Sequence, residues 1–131
     1  MILLDTNAYS ALALGKESIV SALPTSGQFY LCPPVIAELR LGFRLGNKEE
    51  ENENKLQQFL SSGGMLDIDL ATTEIYADLA AFARKCGFSL SHNDLWIAAI
   101  TKQCDVRLFT YDKDFAVFSD LFGDKLLILT H

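Results

Sequence analysis

Histidine and cysteine are scarce in this chain: it has two histidines, His92 and His131, and three cysteines, Cys32, Cys86 and Cys104. The cysteines are odd in number and widely spaced, with no C-x-x-C pair. This argues against a structural zinc site and a disulfide framework, and leaves the cysteines as small reduced core residues. No apolar run approaches the roughly 20 residues of a membrane helix. No basic segment leads into an apolar stretch with a small-residue cleavage site. These absences set the expectation of a soluble cytoplasmic protein with no membrane partner. Positive charge is also short, 11 Lys+Arg against 17 Asp+Glu for a net charge of −6. Tight, non-specific nucleic-acid binding normally requires a basic footprint. A nuclease is not excluded, because carboxylates that hold metal must be acidic.

Half of the residues are hydrophobic and 21% are charged, a balance that places the chain among globular rather than disordered sequences. No repeat, low-complexity linker or boundary interrupts it, so residues 1–131 read as one domain.

"MILL" reads as a short strand that is apolar on both faces. Residues 7–23 read as helical with a break near Gly15, and "QFYLC" (28–32) as a second strand. Pro33 and Pro34 end that strand, and Pro34 suits the first position of a helix carrying Val35, Leu39 and Phe43 on one stripe. "NKEEENENKLQQFLSS" continues as a further helix, ended by Gly63 and Gly64. "MLDIDL" (65–70) alternates and predicts a third strand, with Asp67 and Asp69 at its polar positions. Residues 71–86 predict a helix with Ile75, Leu79 and Phe82 on one face and Gly87 beyond its end. "NDLWIAAITKQC" is apolar nearly all round, hence a buried helix. "VRLFT" and "KLLILT" complete the strands. Alternating strands and helices specify an α/β fold, three layers α/β/α, around a mainly parallel sheet of four to five strands. Ligands in such sheets bind beyond the carboxyl ends of the strands.

Four acids fall at that edge. Asp5 ends the first strand, Glu38 lies early in the helix after the second, Asp94 begins the buried helix and Asp112 follows the fourth strand. Each has a plain alternative. Asp5 suits a helix N-cap, Glu38 a solvated helix face, Asp94 an S-x-x-D cap with Ser91, and Asp112 a turn. None of these explains why all four share one edge. Clustered carboxylates repel one another and are costly to bury unpaired. A divalent cation removes that cost, and an all-oxygen site suits Mg²⁺ or Mn²⁺. Such ions commonly serve phosphoryl chemistry, which points to metal-dependent phosphodiester hydrolysis.

"LLDTNAYSAL", "VIAELRLG", "HNDLWIAAI" and "LFTYDKDF" resemble the four signature segments of PIN-domain ribonucleases. Their arrangement is most similar to the VapC toxins of toxin–antitoxin pairs, over essentially the whole chain. The resemblance implies a Mg²⁺- or Mn²⁺-dependent endoribonuclease acting on RNA, an antitoxin partner and a homodimer. It maps the metal-site acids onto Asp5, Glu38, Asp94 and Asp112, and the polar helpers onto Thr6 and Asn7. The fourth acid is its least uniform part. Asp112 and Asp114 compete for that place, with Asp112 preferred and Asp114 taken as a nearby structural acid.

Thr110 is expected to orient water or phosphate. Arg40 and Arg44, one turn apart after Glu38, are expected either to contact RNA phosphates or an acidic partner segment, or to pair locally. The charged run "NKEEENENK" reads as a solvated helix face, with part of an antitoxin clamp as the alternative. Trp96 and Phe115 are expected in the core. A receiver domain would need an adjacent acidic pair after the first strand, with Lys125 as its lysine. A haloacid-dehalogenase-type phosphatase would need an aspartate at position 7. A catalytically inactive PIN-like binding module would be expected to have lost some of the acids.

Overall fold

The computed structural model describes residues 1–24 and 27–131. Among these residues five strands form one sheet: β1 (Ile2–Leu4), β2 (Phe29–Leu31), β3 (Gly64–Met65), β4 (Arg107–Thr110) and β5 (Leu126–Ile128). All neighbours are parallel, in the order β3-β2-β1-β4-β5. Among the described residues seven α-helices connect or follow them: α1 (Thr6–Ala13), α2 (Glu17–Val20), α3 (Pro33–Leu45), α4 (Glu49–Ser62), α5 (Leu70–Lys85), α6 (His92–Cys104) and α7 (Ser119–Phe122). The chain winds from β1 outward to β3, then returns to lay β4 on the other side of β1. Crossovers between parallel strands are as a rule right-handed, so winding in both directions sets helices on both faces.

The local chemistry follows the sequence closely at the centre. β1 is buried along its whole length, as an apolar strand covered on both faces must be. Gly15 breaks the first helical stretch at φ 70°, a left-handed conformation that glycine adopts without strain. α3 begins at Pro33, one residue earlier than expected, where the missing N–H costs nothing. α6 buries Leu95, Ile97, Ala98, Ala99, Ile100 and Thr101, which confirms the buried helix. Phe115 is fully buried, and Trp96 is half-buried against Tyr76 with ring centroids 4.4 Å apart.

The third strand departs from the expectation. Only Gly64 and Met65 pair with β2, and Asp69 does not sit in a strand. Its carboxylate accepts the Thr72 N–H at 3.1 Å, while Thr72 Oγ1 accepts the Asp69 N–H at 3.0 Å. That reciprocal cap starts α5 and requires Asp69 to leave the sheet. Gly63 is needed where α4 turns into β3, because a Cβ there would lie 2.6 Å from the Phe29 carbonyl oxygen. Between β4 and β5 the chain forms two 3-10 segments, Lys113–Phe118 and Gly123–Lys125, on either side of α7. Phe115, Phe118 and Phe122 anchor this stretch in the core. Among the described residues no helix is long and apolar enough to cross a membrane.

Candidate active site

The strand order reverses direction between β1 and β4, so their carboxyl ends diverge into a crevice. There a small cleft of ≈ 100 Å³ is lined by Asp5, Thr6, Asn7, Glu38, Asp94, Ile97 and Asp112. All four acids expected from the sequence meet in it.

Asp5 directly follows β1 and is only 5% exposed. It does cap α1: Oδ1 accepts the Ala8 N–H at 2.9 Å. Its second oxygen accepts the hydroxyl of Thr110 at the end of β4. Capping and a place in the cleft therefore coexist. Thr110 is fully buried, and its hydroxyl oxygen also accepts the Asp112 N–H at 2.9 Å. Its hydroxyl is thus committed to fixing Asp5 relative to Asp112, rather than offered to water or phosphate. The next residue, Tyr111, is buried, with its hydroxyl 2.6 Å from Ser18 Oγ of α2. That contact anchors the turn carrying Asp112.

Glu38 lies on an exposed part of α3, but both of its oxygens have donors. Thr6 Oγ1 donates to one at 3.0 Å, and the side-chain amide of Asn93 donates to the other. Thr6 and Asn7 both line the cleft. Sequence reasoning gives Asn93 no role. A signal for it exists nonetheless: an amide next to Asp94 in the first turn of a helix is a ready carboxylate donor.

Ser91 caps α6, its Oγ accepting the Asp94 N–H at 3.1 Å. The Asp94 carboxylate faces Asp112. Carboxylate oxygens of Asp94, Asp112 and Asp114 lie within 4.8 Å of one another. Asp112 and Asp94 belong both to that trio and to the cleft, whereas Asp114 is exposed. Asp114 is also engaged locally, because its N–H donates to Asp112 Oδ1 at 2.9 Å and so starts the 3-10 segment.

The electrostatics are those of unneutralised acids. Burial pushes the Asp94 carboxyl up to about 6, with the Asp112 charge adding to the effect. Burial also raises Asp5; hydrogen bonds from Thr110 and the Ala8 N–H oppose this, and the charges of Asp112 and Glu38 reinforce it. No ion pair among the described residues involves any of the four acids. This donor set fits a hard divalent cation: all oxygen, crowded, partly buried and lacking a cationic side chain. Cys32, buried at the start of α3, is pushed up to about 12 by burial, so it supplies no thiolate nucleophile.

Other candidates lie apart from this chemistry. Arg40 donates through Nε and a terminal nitrogen to the two oxygens of Glu53, both at 3.1 Å. Arg44 pairs with Glu49 at 3.6 Å. Both arginines therefore pair locally, joining α3 to α4. Lys125 pairs with Asp105 at 3.8 Å at the amino end of the sheet. It cannot serve a receiver-type pocket at the opposite edge.

Comparisons with known proteins agree with the fold. The family model of the PIN domain matches residues 2–121. The chain is 33% identical over 135 residues to Toxin FitB of Neisseria gonorrhoeae, covering 91% of this chain and 97% of that protein. It is 35% identical over 65 residues to Ribonuclease VapC2 of Rickettsia felis, covering 50% of this chain and 48% of that protein. The structure of VapBC2 from Rickettsia felis, bound to a DNA fragment from their promoter, superposes with a TM-score of 0.79 at 26% identity. That match covers 99% of this chain and 100% of the other.

Proposed function

The chain belongs to the PIN-domain family, and on that premise we propose that it is a Mg²⁺- or Mn²⁺-dependent endoribonuclease, the toxin of a toxin–antitoxin pair. One observation carries the catalytic part. Four carboxylates from four separate elements converge on a cleft at the strand-order reversal, with no cationic side chain to balance them. Asp5, Glu38, Asp94 and Asp112 are the residues that would hold the metal, with Asp114 in reserve beside Asp94 and Asp112. A divalent ion there supplies the Lewis acidity that phosphodiester hydrolysis needs.

The chain's own contribution is placement. Asp5 is the fixed point, buried and held by the Ala8 N–H and the Thr110 hydroxyl. Thr110 carries that position across to Asp112 through the Asp112 N–H. Ile97 forms an apolar wall in an otherwise polar cleft. No side chain is required as a covalent nucleophile.

The toxin part rests on the relatives. FitB is named a toxin, and VapC2 a ribonuclease. An antitoxin partner and a homodimer follow as proposals. The chain is read as cytoplasmic.

The decisive assay is cleavage of a structured RNA with Mn²⁺, repeated with EDTA and with Asp94→Asn. Cleavage that EDTA abolishes, and that the folded variant lacks, supports the reading. Wild-type protein that binds RNA and never cuts it would mean a PIN-like binding module instead. Light scattering that gives a monomer at every concentration would remove the homodimer.

A further inference from the structure

We propose that Asn93 is a positioning residue that, together with Thr6, fixes the Glu38 carboxylate in its metal-binding orientation. This rests on the metal-site reading above. Glu38 is exposed on α3, and an exposed glutamate ordinarily moves among many rotamers. Here its two oxygens are taken by donors from two other helices, Thr6 at the start of α1 and Asn93 in the first turn of α6. Three helices are thereby clasped through one carboxylate. Each oxygen keeps lone-pair capacity for a cation.

Asn93 is not among the residues lining the cleft, whereas its neighbour Asp94 is. Consecutive helix residues point about 100° apart. One therefore faces the site while the other reaches sideways to α3. Turning the amide over would set two oxygens against each other, so the carboxylate itself dictates that Nδ2 donates. A neutral donor is also what the position requires, because an acid there would add another negative charge to a site already rich in them.

The test is Mn²⁺ binding to the full chain by calorimetry, with circular dichroism of each variant. Asn93→Ala should bind Mn²⁺ about 10-fold more weakly, the usual cost of losing a group that orients a ligand. Asn93→Leu, which keeps the side-chain size but offers no donor and adds no charge, should be weakened to a similar degree, and it carries the test if the alanine variant fails to fold. In a Glu38→Gln background, read by thermal shift at millimolar Mn²⁺, adding Asn93→Ala should cause no further loss. At saturating metal the KM for RNA should not change. Wild-type affinity in both Asn93 variants would overturn the proposal. So would an undiminished loss in the Glu38→Gln background, which would show that Asn93 acts elsewhere. A wild-type protein that binds no Mn²⁺ would defeat the metal-site reading itself, an outcome distinct from either.

Discussion

Two regions of this protein are equally rich in acid and physically opposite. α4 opens with Glu49, Glu50 and Glu51, and Glu53 follows one turn later. The cleft gathers Asp5, Glu38, Asp94 and Asp112. On α4 the acids sit at a helix N-terminus, where the dipole favours negative charge. Three of the four also have partners: Arg40 on Glu53, Arg44 on Glu49, and Lys55 on Glu51 at 3.5 Å. The hydrogen bonds from Arg40 hold the Glu53 carboxyl below its usual range, helped by Gln57 and Arg44. In the cleft the shifts run the other way, upward at Asp5 and Asp94. A count of carboxylates therefore says little. The missing counter-charge, together with burial, separates a site from a solvated helix face.

The largest effect that tests this contrast is on activity. Asp5→Asn and Asp94→Asn keep shape, and an Asn at position 5 still caps α1, but each removes one negative charge. RNA cleavage should fall by at least about 100-fold, the upper end of what losing even an outer-shell partner costs. Circular dichroism should show both variants folded. A folded Asp94→Asn protein that cuts at the wild-type rate would leave the Ser91 cap as the whole account of that residue.

Metal should act next, on stability. At a Mn²⁺ concentration 100 times its Kd, binding adds about 2.7 kcal/mol. For a chain of this size that raises Tm by roughly 10 °C. Thermal scans with and without EDTA check it, and Asp5→Asn should abolish most of the rise.

A smaller effect is expected from pH in the metal-free protein. Asp94 is raised from an ordinary 3.8 to about 6. Between those values the folded state keeps a proton that the unfolded state has released. Its contribution to stability is thus present at the acid end of the window and lost as pH rises through about 6. Urea titrations in EDTA should show this decline in the wild type and a flatter profile in Asp94→Asn. If the two profiles are parallel, Asp94 is not strained by its surroundings.

The sequence carried the centre of the fold better than its margins, for physical reasons. β1 and the middle of α6 are apolar because they are enclosed on all sides, so composition alone marks them. The four acids could be assembled because each stands at a strand end or a helix start, and parallel topology brings such points to one edge. The alternation in "MLDIDL" misled because Asp69 is polar in order to cap α5, not to face solvent from a strand. The stretch from 113 to 125 has short irregular turns whose only strong signal is buried phenylalanine. Asn93 escapes a sequence reading because its partner, Glu38, is 55 residues away. The ties from Arg40 to Glu53 and from Thr110 to Asp5 are hidden by the same kind of separation, 13 and 105 residues.

The smallest expected effect comes from the other side of the comparison. Glu53→Gln removes the charge that Arg40 grips, and Arg40→Ala removes the grip. The Arg40 and Glu53 side chains are 37% and 28% exposed, so water screens the pair and its worth should be about 0.5 kcal/mol despite the two-pronged geometry. Added salt should erase most of that difference. The sign of the pH effect is also reversed. A carboxyl held below its usual range contributes stability that is present at neutral pH and lost as pH falls through the acid range. Glu53→Gln should therefore lose its small deficit relative to wild type in acid, whereas Asp94→Asn should gain relative to wild type towards neutrality. RNA cleavage by the free protein should be unchanged in Glu53→Gln, measured under the same Mn²⁺ conditions as the cleft variants. A loss of cleavage comparable to that of Asp94→Asn, with the fold intact, would mean that α4 belongs to the catalytic surface after all, and the distinction between paired and unpaired acids would fail as a guide to this site.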